Sequence, residues 1–157
     1  MSLSSNGSGV DISQTIRIVE RLVSWDLLRE LEAMIFGDHW MTTEKFERFQ
    51  ASKPILLVAY DGDNPVGFKA GFQTDEESFH SWLGGVHRDY RKQGIGQQLL
   101  DFQERLVAQR GIKRITFNTY ARYSNMMRLG EKNEYKLIRT EELEGELKYF
   151  YLKVLTP

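Results

Sequence analysis

The 157-residue chain contains no cysteine. That absence excludes disulfide bridges, thiolate-bound zinc, iron–sulfur clusters and a cysteine nucleophile. It fits a reducing compartment, so a cytoplasmic location is the expectation. No apolar run approaches the roughly 20 residues that a membrane-spanning helix needs, and no membrane partner is expected. The N-terminus lacks the basic-then-apolar pattern of a secretory signal. An excess of one charge is missing as well: 21 Lys and Arg stand against 22 Asp and Glu, a formal charge of −1. Coating nucleic acid requires a basic excess to neutralise phosphates, so nucleic acid is not an expected partner. The three histidines are scattered without a supporting carboxylate cluster, and no metal is expected.

What is present is ordinary globular material. A hydrophobic fraction of 41%, with 12% aromatic residues, suffices for a core, and 27% charged residues solvate the surface. The length argues for one domain. Met1–Gly9 is rich in Ser and Gly and has no periodic apolar signal, so it cannot offset its ordering entropy. Residues 1–11 are therefore expected to be a disordered lead, and 12–157 a single domain.

Periodicity orders the elements. Ile12–Val23 reads as a strand, and Ser24 caps a helix carrying Leu27, Leu28, Leu31, Met34 and Ile35, which Gly37 ends. A second short helix starts at Thr42 or Thr43, with Glu44 in its first turn. Ile55–Tyr60 is a continuous apolar run, expected to be a buried strand. Turn residues 61–65 return it as Val66–Phe72. Ser78–Val86 is a further strand, followed by a polar loop, Arg88–Gly94. Ile95, Leu99, Phe102, Leu106 and Val107 form one helical face, stopped at Gly111. Arg114–Thr119 (strand), Ser124–Lys132 (helix), Tyr135–Thr140 (strand) and Leu147–Leu155 (strand) complete the chain, with Glu141–Glu146 as a solvated turn. Hairpins followed by β-α-β units indicate a mixed sheet in an α+β or three-layer domain.

The stretch that carries chemistry is Val86-His87-Arg88-Asp89-Tyr90-Arg91-Lys92-Gln93-Gly94-Ile95-Gly96. It joins a strand end to a helix N-terminus, where backbone N–H groups lack intrahelical partners and the helix dipole is positive. Gly94 and Gly96 have no Cβ, so an anion can approach the backbone, and Arg88, Arg91 and Lys92 add positive charge. These features describe a pyrophosphate cradle. The same residues also suit a plain strand–helix connection, with glycines for turning and arginines for solubility. Neither a Walker loop nor the Gly-x-Gly-x-x-Gly fingerprint fits: no Gly-Lys-Ser/Thr follows, and Leu99 stands where the third glycine belongs.

Val86 followed by Arg91-x-x-Gly94-x-Gly96 resembles the acyl-CoA-binding motif of the GNAT N-acetyltransferases, and the resemblance extends over roughly Ile16 to Leu155. It implies a mostly antiparallel mixed sheet of about six or seven strands flanked by about four helices, with strands four and five splayed around the cofactor. It implies acetyl-CoA as co-substrate and a primary amine, on a small molecule or a peptide, as acceptor. The backbone of Gly85 and Val86 would pair with the pantetheine arm. The amides of Lys92, Gln93, Gly94, Ile95, Gly96 and Gln97 would hold the pyrophosphate, with Arg91 at the Arg/Gln position of the motif. Gly84 or Gly85 would offer an N–H to the thioester oxygen. Asn118 and Asn125 are candidates for the Asn that contacts CoA, and either can equally cap a turn. The family's habit of pairing through sheets or C-terminal strands allows a homodimer.

The resemblance weakens at the helix Ser124–Lys132. Gly130 stands where the family often has the Tyr that serves as general acid for the CoA thiolate, and Tyr120 or Tyr123 is left as a substitute. Glu134 replaces a usual Gly and suggests a different helix ending. Direct attack needs a neutral amine and hence a base. His80 is the candidate, since an imidazole with pKa near 6.5 suits that task, and Glu76 or Glu77 can serve through water. Trp25, Phe36, Trp40 and Trp82 line an acceptor pocket or, by default, the core; Met126 and Met127 are packing residues. Two other classes stay open: a CoA-binding sensor without turnover, and a structural or interaction module.

Overall fold

The computed structural model describes residues 15–39 and 41–155. The expected lead at 1–11 and Trp40 lie outside the described residues. Among the described residues seven strands form one sheet: β1 (Ile16–Glu20), β2 (Ile55–Asp61), β3 (Asn64–Asp75), β4 (Ser78–Val86), β5 (Arg114–Tyr120), β6 (Lys136–Leu143) and β7 (Glu146–Val154). Their spatial order is β1-β2-β3-β4-β5-β7-β6. Of these seven strands only β4 and β5 pair in parallel. Four α-helices accompany them: α1 (Trp25–Phe36), α2 (Thr43–Gln50), α3 (Ile95–Gln109) and α4 (Ser124–Lys132).

Helices on both faces explain why β2 reads as an unbroken apolar run rather than an alternating one. Its Ile55, Leu57 and Ala59 join the core that α3 covers, with Leu99, Val107, Ile115 and Phe117. Leu56, Val58 and Tyr60 join the core under α1 and α2, with Leu28, Leu31, Phe46 and Phe49. The caps form as the sequence indicates: Ser24 Oγ accepts from Leu27 N (3.0 Å) and Thr42 Oγ1 from Lys45 N (3.1 Å). α3 is tied down by Glu104, whose carboxylate accepts from Tyr135 Oη (2.7 Å) and Lys153 Nζ (2.9 Å).

Several boundaries move. The first strand is Ile16–Glu20 within the described residues, shorter than the alternation over 12–23 suggests. β3 runs on to Asp75, because Gln73 and Asp75 still find partners in β4. The polar loop contains a 3₁₀ turn, Arg88–Tyr90, in which His87 Nδ1 accepts from Asp89 N. Glu141–Glu146 is not all turn: Glu141–Leu143 stays paired with β7, and Glu146 already belongs to it. The C-terminal end of α4 leads into Glu134, where the resemblance places a usual Gly. Glu134 itself takes the left-handed conformation (φ +72°) that a glycine would supply.

Candidate active site

β4 and β5 are hydrogen-bonded only over Ser78↔Arg114, Phe79↔Ile115 and His80↔Thr116. Beyond that point β4 continues to Val86 beside β3, β5 continues to Tyr120 beside β7, and the two diverge. The divergence starts where β4 carries an extra residue: Gly71 pairs with Ser81 and Ala70 with Leu83, leaving Trp82 unmatched. Such a bulge bends the strand and ends pairing on one edge. Strand backbone groups alternate between edges. His87 N donates to Val66 O on the β3 side (2.8 Å). By that alternation Gly85 also points at β3, where its register partner is Phe68. Gly84 and Val86 therefore turn their backbone groups toward the gap. Of the two glycines considered for the thioester oxygen, Gly84 is the one whose backbone faces the gap. Gly85 has a packing reason instead: a Cβ there would lie 2.5 Å from Ile35 Cγ2 of α1.

From the Val86 end of β4 the chain runs through the 3₁₀ turn to the N-terminus of α3. Gly94 is the N-cap, at φ +83°, and no side chain caps the first turn, which contains no acidic residue. A Cβ at Gly94 would meet nothing within 4 Å, so its requirement is conformational. The amides of Ile95, Gly96 and Gln97 begin the helix there, with exposed Arg88, Arg91 and Lys92 alongside. The loop is held in place at both ends. Tyr90 Oη donates to Asp61 Oδ2 (2.6 Å), and Arg91 Nε donates to Val86 O (3.0 Å). Arg91 thus secures the end of β4 through its Nε.

Other predicted side chains have local partners. Gln97 and Asn133 exchange two amide hydrogen bonds (2.8 and 2.9 Å), joining α3 to α4. Asn125 Oδ1 accepts from Arg128 one turn along α4. At Gly130 a Cβ would lie 2.5 Å from the Phe117 ring, so the ring occupies the space a larger residue would need. No phenol stands at that position.

His80 closes the bottom of the gap. Its Nδ1 lies 2.9 Å from Thr116 Oγ1, and its ring packs at 5.6 Å from Phe72. Burial first, and then the charge of Lys148, hold its pKa below 6.5. When Nδ1–H donates to Thr116, Nε2 is the basic nitrogen. Alternation along β5 places Thr116, Asn118 and Tyr120 on this same face, opposite Ile115 and Phe117, which are in the α3 core. Register then adds Lys148 and Phe150 of β7, beside Tyr120 and Asn118. Among the described residues the core under α1 and α2 includes none from β5, β6 or β7, so helices do not cover this part of the sheet.

The aromatic candidates divide. Trp25 packs edge-on against Phe46 (5.4 Å) and Phe36 against Phe68 (6.4 Å). Trp82 lies against Phe49 (5.1 Å) and Phe72 (5.8 Å), which makes these rings part of the core beneath α1 and α2. Met126 and Met127 pack against the α3 core as expected. Glu76 is exposed, and Glu77 is engaged by Lys113 (3.1 Å) and Arg114 (3.5 Å) at the far end of β4. The α1–α2 connection is pinned by buried Glu32, whose Oε2 accepts from Met41 N (2.7 Å). Sequence reasoning singles out no residue of β7. Its alternation of Lys148, Phe150 and Leu152 is visible, but nothing local says that β7 inserts between β5 and β6.

Among the described residues no group of three or more His, Cys, Asp or Glu is placed to hold a metal, and no helix is long and apolar enough to cross a membrane. Residues 25–132 match the model of the acetyltransferase (GNAT) family. Among solved structures, the chain is similar to the ribosomal-protein-S18-alanine N-acetyltransferase from Escherichia coli, with a TM-score of 0.77 at 15% identity, covering 91% of this chain and 96% of that one. It is similar to a GNAT family acetyltransferase from Elizabethkingia anophelis with acetyl-CoA bound (TM-score 0.70, 15% identity, 89% and 98% covered). An aminoglycoside 6'-N-acetyltransferase complexed with coenzyme A gives a TM-score of 0.70 at 20% identity over 84% of this chain and 91% of that one. At these identities the likeness is one of fold. No curated protein sequence matches the chain.

Proposed function

We propose, from the premise that the chain belongs to the acetyltransferase (GNAT) family, that it transfers the acetyl group of acetyl-CoA to a primary amine by direct attack in a ternary complex. The observation that carries this reading is the split between β4 and β5, where the Gly84 backbone and the Val86 N–H have no partner on β5 and the strand leads to the uncapped start of α3. The donor set fits the co-substrate. Amides from Lys92 to Gln97 and the charges of Arg88, Arg91 and Lys92 suit a pyrophosphate. Gly84 N–H suits the oxygen of the thioester, and one such preorganised donor is typically worth about 3 kcal/mol.

In the reaction the amine lone pair attacks the thioester carbon, the C–N bond forms, the C–S bond breaks and the thiolate leaves. His80 Nε2 takes the proton lost by the amine. The thiolate, whose conjugate acid has a reference pKa of about 8.5, leaves without obligatory protonation. Tyr120, half-buried on the His80 face, is the phenol assigned to protonate it where protonation helps. With no cysteine in the chain, direct attack is favoured over an acyl-enzyme.

Calorimetry with CoA and acetyl-CoA tests the first step, and release of free thiol with a panel of amines tests the second. The wild type is expected to bind both ligands, and Gly96→Val to bind them about 10-fold more weakly or worse. Absence of binding by folded protein overturns the reading. The lack of a phenol at Gly130, where Phe117 fills the space, favours one alternative, a CoA-binding sensor. Binding without thiol release across the panel assigns that role.

A further inference from the structure

Lys148 stands out on the sheet face that it shares with His80. It is half-buried, and among the described residues its ammonium has no carboxylate partner and no hydrogen bond. Its contacts are aromatic: Nζ lies 5.5 Å from the Tyr120 ring centroid and 5.7 Å from that of Phe150. Ring quadrupoles attract a cation but do not neutralise it. The other cations around Tyr120 and Phe150 are already paired. Arg122, stacked on Tyr120 and Tyr123, is bridged to Glu146. Arg139, 3.8 Å over the Phe150 ring, binds Glu141 at 2.8 Å. Glu141 is the cross-strand neighbour of Lys148, yet it is turned to Arg139. Three cations thus face two carboxylates, and the unmatched positive charge is the least exposed of the three.

A cation that no carboxylate of the fold engages has its donors available to a ligand carboxylate, and such charge-assisted hydrogen bonds are strong. Lys148 and His80 share a sheet face, since Thr116, the partner of His80, and Tyr120, the partner of Lys148, are four residues apart on β5, roughly 13 Å along the strand. The lysine side chain spans part of that distance, and its charge is felt at the imidazole.

We propose that Lys148 binds a carboxylate on the acceptor, so that this protein selects small amines bearing a carboxylate a few bonds from the nitrogen over polycationic amines. The proposal rests on the amine-acetylating reading above. It makes Lys148 a residue that determines specificity, while His80 stays at the reacting nitrogen.

The probes are the standard L-amino acids, each paired with its carboxamide, and spermidine. Thiol release with acetyl-CoA is expected to favour carboxylates over their amides by about 10-fold or more in kcat/KM, corresponding to about 1.4 kcal/mol. Lys148→Met is expected to bring the carboxylates down to the level of the amides, and Lys148→Arg to restore the preference. Equal rates for acids and amides, a preference for spermidine, or a parallel loss on both probes in Lys148→Met overturns the proposal. Should no amine release thiol, the CoA complex is titrated with N-acetylated amino acids and their amides. Binding of the acids alone, lost in Lys148→Met, sustains the anion site while discarding turnover. Equal or no binding discards the site. The heat of CoA association, measured on every variant, reports folding and isolates a failure of the CoA-binding reading itself.

Discussion

Lys69 sits in β3 opposite Gly84, 6% exposed, within the otherwise apolar stretch Val66–Phe72. Burial drives its pKa from 10.5 down to about 8, with the Glu104 carboxylate pulling the other way. A group whose folded pKa is depressed in this direction opposes folding while it is charged. The opposition amounts to about 3 kcal/mol at pH 7, at 1.36 kcal/mol per pKa unit. It fades as pH rises from 8 to 10.5, because there the unfolded chain holds the proton and the folded one does not. Lys69→Met is therefore expected to stabilise the protein by roughly 2–3 kcal/mol at pH 7, by denaturant melts, with the gain shrinking above pH 8. A gain independent of pH would assign the effect to packing. His80 makes a kinetic prediction. Its pKa lies below 6.5, so it stays neutral at pH 7 and loses its basic form only in more acid solution. The acid limb of kcat/KM should fall below pH 6.5, and His80→Gln should remove that limb and lower kcat/KM by about 100-fold. A variant that retains the limb removes His80 from proton transfer.

At the scale of elements, the helix ends decide how the site is built. α3 starts at a residue with positive φ and without a side-chain cap, leaving its first amides available. α4 ends differently. Asn133 reaches Leu129 O (2.8 Å), and Glu134 then takes φ +72° with no glycine to ease it. A left-handed non-glycine residue costs roughly 1–2 kcal/mol, part of which glycine gives back through its looser unfolded chain. Glu134→Gly is expected to stabilise by about 0.5–1 kcal/mol, seen as a higher denaturant midpoint at unchanged slope. A lower midpoint would mean that the Glu134 side chain contributes a contact worth more than the strain. The element pattern was largely legible from residues. Ser24 and Thr42 announce α1 and α2, the Ile55–Tyr60 run announces a central strand, and the α3 stripe of Ile95, Leu99 and Val107 is buried as its spacing requires. Boundaries failed where pairing, not propensity, sets the limit. β3 extends because β4 is there to bond it, and Glu141–Leu143 are strand because β7 folds back on them.

Across the whole molecule, the proposed CoA site draws on the β4–β5 split and the α3 terminus, which come from distant parts of the chain. A ligand spanning both binds only the folded state and stabilises it by mass action. CoA at about 100-fold its dissociation constant should add about 2.7 kcal/mol, or a rise in Tm of roughly 5–10 °C for a chain of this length. Scanning calorimetry checks this, and an unchanged Tm at that excess contradicts the proposed site. Sequence alone determined where the proposed anion cradle falls. Glycines at 94 and 96, basic residues before them and a helix after them are local facts, and an anion cradle needs only local backbone. The element order followed equally from local periodicity. Only the tertiary structure decided which of Gly84 and Gly85 faces the gap, because that depends on the hydrogen-bond register with β3. Only it placed Lys148 beside Tyr120 on the face of His80, because β7 enters the sheet between β5 and β6, and a long-range pairing of that kind leaves no mark in the spacing of either strand.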